Sequence, residues 1–231
     1  MSLSGGDACS AKTSSFLKKL LTKYVLKWDN RKGYKGVLSL YDRFYSLVMS
    51  MRIITGLARG RRLAAPAGND VRPTPERVKE GIFSSLQFDL EGRRVLDLFA
   101  GSGQLGLEAI SRGAQNAVLV DASDASIKII RQNIDAVGFA GQARAVRADY
   151  ASFLASNRET FDLVFLDPPY AAGLLIPALR AVLPAVSPYG CIVCEHPAQQ
   201  KLPEQIGSFS VSRFYRYGKV CMTVYRKEEA Q

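Results

Sequence analysis

Four carboxylates stand where short apolar runs of this sequence stop. Asp97 lies inside Val95–Phe99, just ahead of Gly101-Ser102-Gly103-Gln104-Leu105-Gly106. Asp121 closes Ala117–Val120, Asp149 closes Ala145–Ala148, and Asp167 closes Phe161–Leu166. Short apolar runs bounded by breakers read as buried strands of a parallel sheet. After Asp167 come Pro168, Pro169 and Tyr170. Neither proline can donate to a ladder, so that strand must end there. Open α/β sheets place their ligands beyond the carboxyl ends of their strands. A carboxylate, backbone carbonyls held by proline and a flat ring suit a planar group that carries an amine. Acid–proline pairs are also ordinary turn chemistry, and on this stretch alone the two readings weigh equally.

The glycines narrow the choice. Gly101-x-Gly103-x-x-Gly106 matches the dinucleotide fingerprint, with Asp121 near the distance expected of a ribose-binding acid. Such glycines let backbone approach a ligand closely. Asp97 discriminates, because a carboxylate ahead of the loop repels a pyrophosphate and attracts an amino or sulfonium group. S-adenosylmethionine carries both, with a ribose for Asp121 and an adenine amine for Asp149. Each acid has a plainer reading as a helix cap or turn residue, and for Asp149 the two are close to even.

These residues need a scaffold, and the order of elements supplies one. After Asp121 a helix is expected around Ile127–Val137, and after Asp167 one over Leu174–Val186, stopped by Pro188 and Gly190. Cys191–Cys194 reads as a fifth strand, and Val211–Tyr215 with Val220–Tyr225 as a closing antiparallel pair. Alternating strand and helix implies a doubly wound α/β sheet, Rossmann-like, with an antiparallel edge. Upstream, Arg52-Ile53-Ile54 and Arg62-Leu63 read as a hairpin. Arg72-Pro73-Thr74-Pro75-Glu76-Arg77 opens a helix with Thr74 as cap and Pro75 at the first turn. Three segments follow: 1–50, a basic amphipathic extension; 51–92, a basic hairpin and helix; and 93–231, the catalytic domain.

Charge points to the partner. With 31 basic against 21 acidic residues the chain carries +10, which favours a polyanion. Residues 52–79 hold Arg52, Arg59, Arg61, Arg62, Arg72, Arg77 and Lys79 against Asp70 and Glu76. That density beside a catalytic domain reads as phosphate contacts, with scattered surface arginines as the plainer alternative. In 1–50, Phe16, Leu17, Leu20, Leu21, Tyr24, Val25 and Trp28 recur at helical spacing among lysines. Such a segment fits an RNA- or membrane-surface arm, a helix docked on the body, or an extension ahead of Met51. The last is preferred, because Met51 directly precedes a coherent basic strand. Cys191 and Cys194 form a CxxC, but no second pair exists and His196 is the only histidine. A zinc site would lack ligands, so the expectation is no metal and two buried thiols. No stretch reaches transmembrane length, and a soluble protein of a reducing compartment is expected.

Val95-Leu96-Asp97-Leu98-Phe99-Ala100-Gly101-Ser102-Gly103 with Asp167-Pro168-Pro169-Tyr170 resembles class I S-adenosylmethionine-dependent methyltransferases acting on exocyclic amines. Arg52-Ile53-Ile54-x-Gly56, Arg59-Gly60-Arg61-Arg62-Leu63 and Arg72-Pro73-Thr74-x-x-Arg77-Val78 narrow the resemblance to the bacterial RsmD family of 16S rRNA guanine-N2 methyltransferases. The likeness runs from Met51 to about Arg226 and leaves out residues 1–50. It implies a seven-stranded methyltransferase sheet and methyl transfer to a guanine N2 of the small ribosomal subunit. The cell compartment implied is the cytoplasm, the working form a monomer, and no membrane is involved. Cofactor contacts would fall to Asp97, Phe99, Ala100, Gly101, Ser102, Gly103, Asp121, Ala122, Asp149 and Tyr150. Asp167 and the Pro168 carbonyl, with Pro169 beside them, would hold the amine while Tyr170 stacks on the base. Arg59, Arg61, Arg62, Arg72, Thr74 and Arg77 would meet RNA. Two other readings stay open: an exocyclic-amine methyltransferase of DNA or protein glutamine, and a non-catalytic RNA-binding assembly protein. A nicotinamide-dependent oxidoreductase is disfavoured by Asp97.

Overall fold

A computed structural model describes residues 51–65, 76–86 and 90–227, without the side chains of Glu76 and Arg77. The amphipathic stretch of 1–50, Arg72 and Thr74 lie outside the described residues. The expected hairpin is narrower than two strands. It keeps one antiparallel bridge, Arg52 to Arg62, framed by backbone bonds from Leu63 to Met51 and from Ile53 to Arg61. Helix α1 is Glu76–Ser85.

The rest alternates. Strand β1 (Arg94–Asp97), helix α2 (Gln104–Ser111), β2 (Asn116–Asp121), α3 (Asp124–Val137) and β3 (Ala143–Arg147) form the first half. Helix α4 (Tyr150–Ser156), β4 (Phe161–Leu166), α5 (Leu175–Val182) and β5 (Val186–Pro197) follow. The chain closes with β6 (Gln205–Ile206), β7 (Phe209–Tyr217) and β8 (Val220–Lys227). These strands make one sheet in the order β3-β2-β1-β4-β5-β8-β7-β6. Neighbours from β3 through β5 are parallel, and β8, β7 and β6 add antiparallel pairings. The sheet therefore has eight strands where seven were expected, the additional one being the two-residue β6.

The order reverses between β1 and β4, so the crevice beyond their carboxyl ends is the switch point. Both faces are covered, as a parallel sheet requires. Leu163 and Phe165 of β4 join a core with α1, α2 and α3. Val164 and Leu166 join the opposite core, with Phe153 of α4 and Leu175, Leu179 and Val182 of α5. Truncating the fully buried Phe165 to Ala would cost about 3–5 kcal/mol.

Two expectations are corrected here. The helix after Asp167 does not run to Val186 but ends at Val182, and Leu183–Ala185 forms a 3-10 turn containing Pro184. Pro188 and Gly190 lie inside β5. They are tolerated because the register jumps from Phe161–Val186 to Leu163–Cys191, so Ser187 to Gly190 fall outside the ladder, with Pro188 and Tyr189 exposed, and Pro188 owes it no N–H. Cys191 belongs to one core and Cys194 to the other, so the CxxC splits across the sheet and cannot grip one ion.

Candidate active site

The glycine loop is built for close packing. Gly101 and Gly103 hold positive φ (56° and 78°), and Gly103 starts α2 from the left-handed region. At Gly106 a side chain would run into Leu119 of β2 and sit beside Asp97, so the missing Cβ lets α2 lie against the sheet. Every residue of α2 is buried.

Asp97 ends β1 at 1% exposure. Its Oδ2 accepts the Gly106 N–H at 3.1 Å, while Oδ1 has no hydrogen-bond partner among the described residues. Burial pushes this carboxyl up to about 7, with the nearby Asp121 charge adding to the effect and the Gly106 bond opposing it. A buried acceptor oxygen left open is costly. A cationic or N–H-bearing ligand would satisfy it, so the amino and sulfonium groups of S-adenosylmethionine fit this residue.

Asp121, half-buried at the end of β2, touches the same loop. Its Oδ2 accepts the Gly101 N–H and its Oδ1 the Ser123 N–H, both at 2.8 Å. A carboxylate has about four lone-pair sites, which leaves capacity for ribose hydroxyls. Ala122 is exposed beside it. Asp149 behaves as its plainer reading required: it caps α4, accepting from Ala151 N, Ser152 N and Ser152 Oγ. The Ser152 hydrogen bonds hold its carboxyl below the usual range. The Phe99 and Tyr150 rings meet at 5.8 Å between centroids, an aromatic pair joining the first loop to the start of α4. Ala100 is buried, its N–H bonded to the Val120 carbonyl. Ser102 turns its hydroxyl toward Met51 Sδ and gives its carbonyl to Asn133, so it serves the scaffold rather than presenting a hydroxyl to a ligand.

Asp167 lies directly after β4. Asp97 is in register with Phe165, which puts Asp167 two residues beyond the Asp97 row on the adjacent strand. Asp167 is half-buried, Pro168 buried, and Pro169 and Tyr170 exposed. A 3-10 turn over Tyr170–Ala172 follows, ended by Gly173 at φ 65°. The Pro169 carbonyl accepts the Ala172 N–H at 3.0 Å, so the turn uses Pro169 and not Pro168. Tyr170 is 45% exposed, and its Oη donates to Glu195 Oε1 at 2.9 Å. Pro168, Pro169 and Tyr170 line a pocket with Leu174, Glu195 and Gln200.

The sequence reading missed Glu195 and Glu108. Glu195 hides in an apolar strand; an acid inside such a run was the only signal. Glu108 is a fully buried latch on α2. It accepts Ile54 N at 2.7 Å and Thr55 N at 3.1 Å, and pairs with Arg112 Nε at 2.7 Å. Ser111 Oγ bonds Ala58 N and Thr55 O, and Asn133 bonds both backbone groups of Ala64. Met51, Ile53, Ala58 and Leu63 share the α2–α3 core. The basic segment is thus held rigidly against the sheet domain, with Arg59, Arg61 and Arg62 exposed and Leu57 at 81% exposure on its tip. Arg61 Nη1 also donates to the Ala136 carbonyl. The Arg77 side chain, like Arg72 and Thr74, is outside the described residues.

Among the described residues no helix is long and apolar enough to cross a membrane, and no cluster of His, Cys, Asp and Glu could hold a metal ion. The chain matches the family model described as Conserved hypothetical protein 95 over residues 51–226. It is 39% identical over 186 residues to YlbH of Bacillus subtilis, covering 77% of this chain and 99% of that one. It is 35% identical over 180 residues to ribosomal RNA small subunit methyltransferase D of Escherichia coli, covering 77% and 90%. The solved structure of yhhF from Escherichia coli superposes with a TM-score of 0.69 at 34% identity, covering 78% of this chain and 99% of that one. With the motifs, the switch-point geometry and these likenesses in agreement, the chain belongs to the RsmD family, whose model carries the description Conserved hypothetical protein 95.

Proposed function

We propose that this protein transfers the methyl group of S-adenosylmethionine to the N2 amine of a guanine in small-subunit 16S rRNA. The observation that supports this most is the adjacency of two sites across the switch point: the Asp97–glycine-loop cradle on β1 and the Asp167-Pro168-Pro169-Tyr170 turn on β4. Bound in the cradle, S-adenosylmethionine supplies an electrophilic methyl on a sulfonium. Asp97 neutralises its positive charge, Asp121 holds its ribose, and Asp149, Phe99 and Tyr150 flank its adenine.

The guanine amine is a weak nucleophile, since its lone pair is delocalised into the ring. Asp167 and the Pro168 carbonyl accept its hydrogens and draw them out of plane, which localises the lone pair toward the methyl. Orientation of this kind supplies much of the rate, about 7–11 kcal/mol in well-aligned cases. Asp167 need not be a strong base, because the proton is acidic once the nitrogen is cationic. Tyr170 stacks on the flipped base, worth ~1–3 kcal/mol. Arg59, Arg61 and Arg62, with Arg72, Thr74 and Arg77, meet rRNA backbone, and residues 1–50 stand outside this machinery. The proposed working form is a cytoplasmic monomer. Incubating purified protein with labelled S-adenosylmethionine and small subunits from a strain lacking the family enzyme tests the reading. Label in 16S rRNA supports it, and none there contradicts it.

A further inference from the structure

We infer that Glu195 reads the N1–H of the target guanine, beside Asp167 at the N2 amine. The inference rests on the proposed methylation of a guanine and adds the residue that tells guanine from other amine-bearing bases. In the β4–β5 register Leu166 pairs with Cys194, so Asp167 leaves the end of β4 at the level where Glu195 continues the adjacent parallel β5. Glu195 is 6% exposed. Its Oε1 accepts from Tyr170 Oη, and it lines the same surface pocket as Pro168, Pro169 and Tyr170. The pocket therefore presents one carboxylate and one ring, with the Asp167 turn directly preceding its Pro168 wall.

An ionised carboxylate only accepts hydrogen bonds, and its two oxygens offer about four lone-pair sites. The Watson–Crick edge of guanine offers two adjacent donors, N1–H and N2–H. Adenine and cytosine offer an amine next to an unprotonated ring nitrogen, whose lone pair would face Glu195. Sites built to hydrogen-bond a substrate donor reject analogues that lack it by factors on the order of 10⁴, because a desolvated polar group is left unmatched. Base-flipping enzymes read the extruded base by its Watson–Crick edge in this way. A plainer role, holding the Tyr170 ring by its hydroxyl, needs only an acceptor and predicts no base preference.

The conservative variant Glu195→Gln separates the two. Its amide oxygen still accepts from Tyr170, while its NH₂ matches an acceptor at N1. Once the methylated position is mapped, small subunits are reconstituted with guanine or 2,6-diaminopurine there. Diaminopurine keeps the N2 amine but has an unprotonated N1. The wild type should prefer guanine at least a hundredfold in kcat/KM, and Glu195→Gln should lose guanine activity and shift that preference at least tenfold toward diaminopurine. Binding of S-adenosylmethionine, read by calorimetry, should be unchanged and reports that the variant is folded. An active wild type with an unaltered preference in Glu195→Gln overturns the inference alone. A wild type that methylates neither RNA overturns the guanine reading and this inference with it.

Discussion

Asp97 pairs in register with Phe165, and two residues later β4 delivers Asp167. The two carboxylates stand at the carboxyl ends of neighbouring strands that meet where the sheet order reverses. One is fully buried with an open acceptor oxygen and the other half-exposed before two prolines. That difference in surroundings supports the proposed partition, a cationic cofactor for Asp97 and a substrate amine for Asp167.

Asp97→Asn should stabilise the protein without cofactor at pH 8, and by clearly less at pH 5. Burial raises the folded carboxyl to about 7. Its contribution is therefore fully present below the ordinary value near 4 and is lost as pH rises through 7, a cost of up to about 4 kcal/mol at ~1.4 kcal/mol per tenfold in proton affinity. Thermal melts at the two pH values check this. The same linkage predicts that S-adenosylmethionine binds more tightly at pH 8 than at pH 6, and calorimetry should find that dependence gone in Asp97→Asn.

Asp167→Ala should reduce transfer by roughly a hundredfold or more, as expected when a group that orients the nucleophile is removed, and spare cofactor binding. Asp97→Ala should lose both. Calorimetry with S-adenosylmethionine beside a single-turnover assay separates them, and an equal loss of binding in the two variants would contradict the partition.

Glu108→Ala should be among the most damaging changes distant from the chemistry. It removes the buried acceptor of the half-buried Arg112 and of the Ile54 and Thr55 N–H groups, and breaking a buried pair costs up to about 3–5 kcal/mol. A fall in the urea midpoint, with faster proteolysis within residues 51–64, is the expected readout.

Replacing Arg59, Arg61 and Arg62 together by Ala should weaken binding to rRNA and flatten its salt dependence, by about 0.7 in log–log slope for each single-strand phosphate no longer neutralised. Affinity for S-adenosylmethionine should not change. Filter binding across a salt series measures the first and calorimetry the second.

A chain beginning at Met51 should keep full methyl-transfer activity, since the family match starts there. A large loss would give the preceding residues a role in substrate capture.

Much of this is legible in the sequence because the signals are local. Phe161–Leu166 is apolar and stopped by prolines, and its strand has the bounds that pattern demands. Asp97, the glycine loop and Asp121 converge because a βαβ unit brings its strand ends together. Register is not local, and the sequence pattern falls short there. The β5 bulge accommodates a proline that ordinarily ends a strand, so the preceding helix is shorter than its apolar pattern predicts. Glu195 reaches the Asp167 turn through the pairing of Leu166 with Cys194, and Glu108 acquires its backbone partners from a segment more than fifty residues away. Asp149 has two roles consistent with its position, and the hydrogen bonds to Ala151 and Ser152 make it a cap in the protein alone.

The most direct test is to map the modification itself. Small subunits from a strain lacking the family enzyme are incubated with the purified protein and S-adenosylmethionine, and digested 16S rRNA is analysed by mass spectrometry. One new N2-methylguanosine is expected with wild-type protein and none with Asp167→Ala. Methyl groups found only on another base, on DNA or on protein would contradict it.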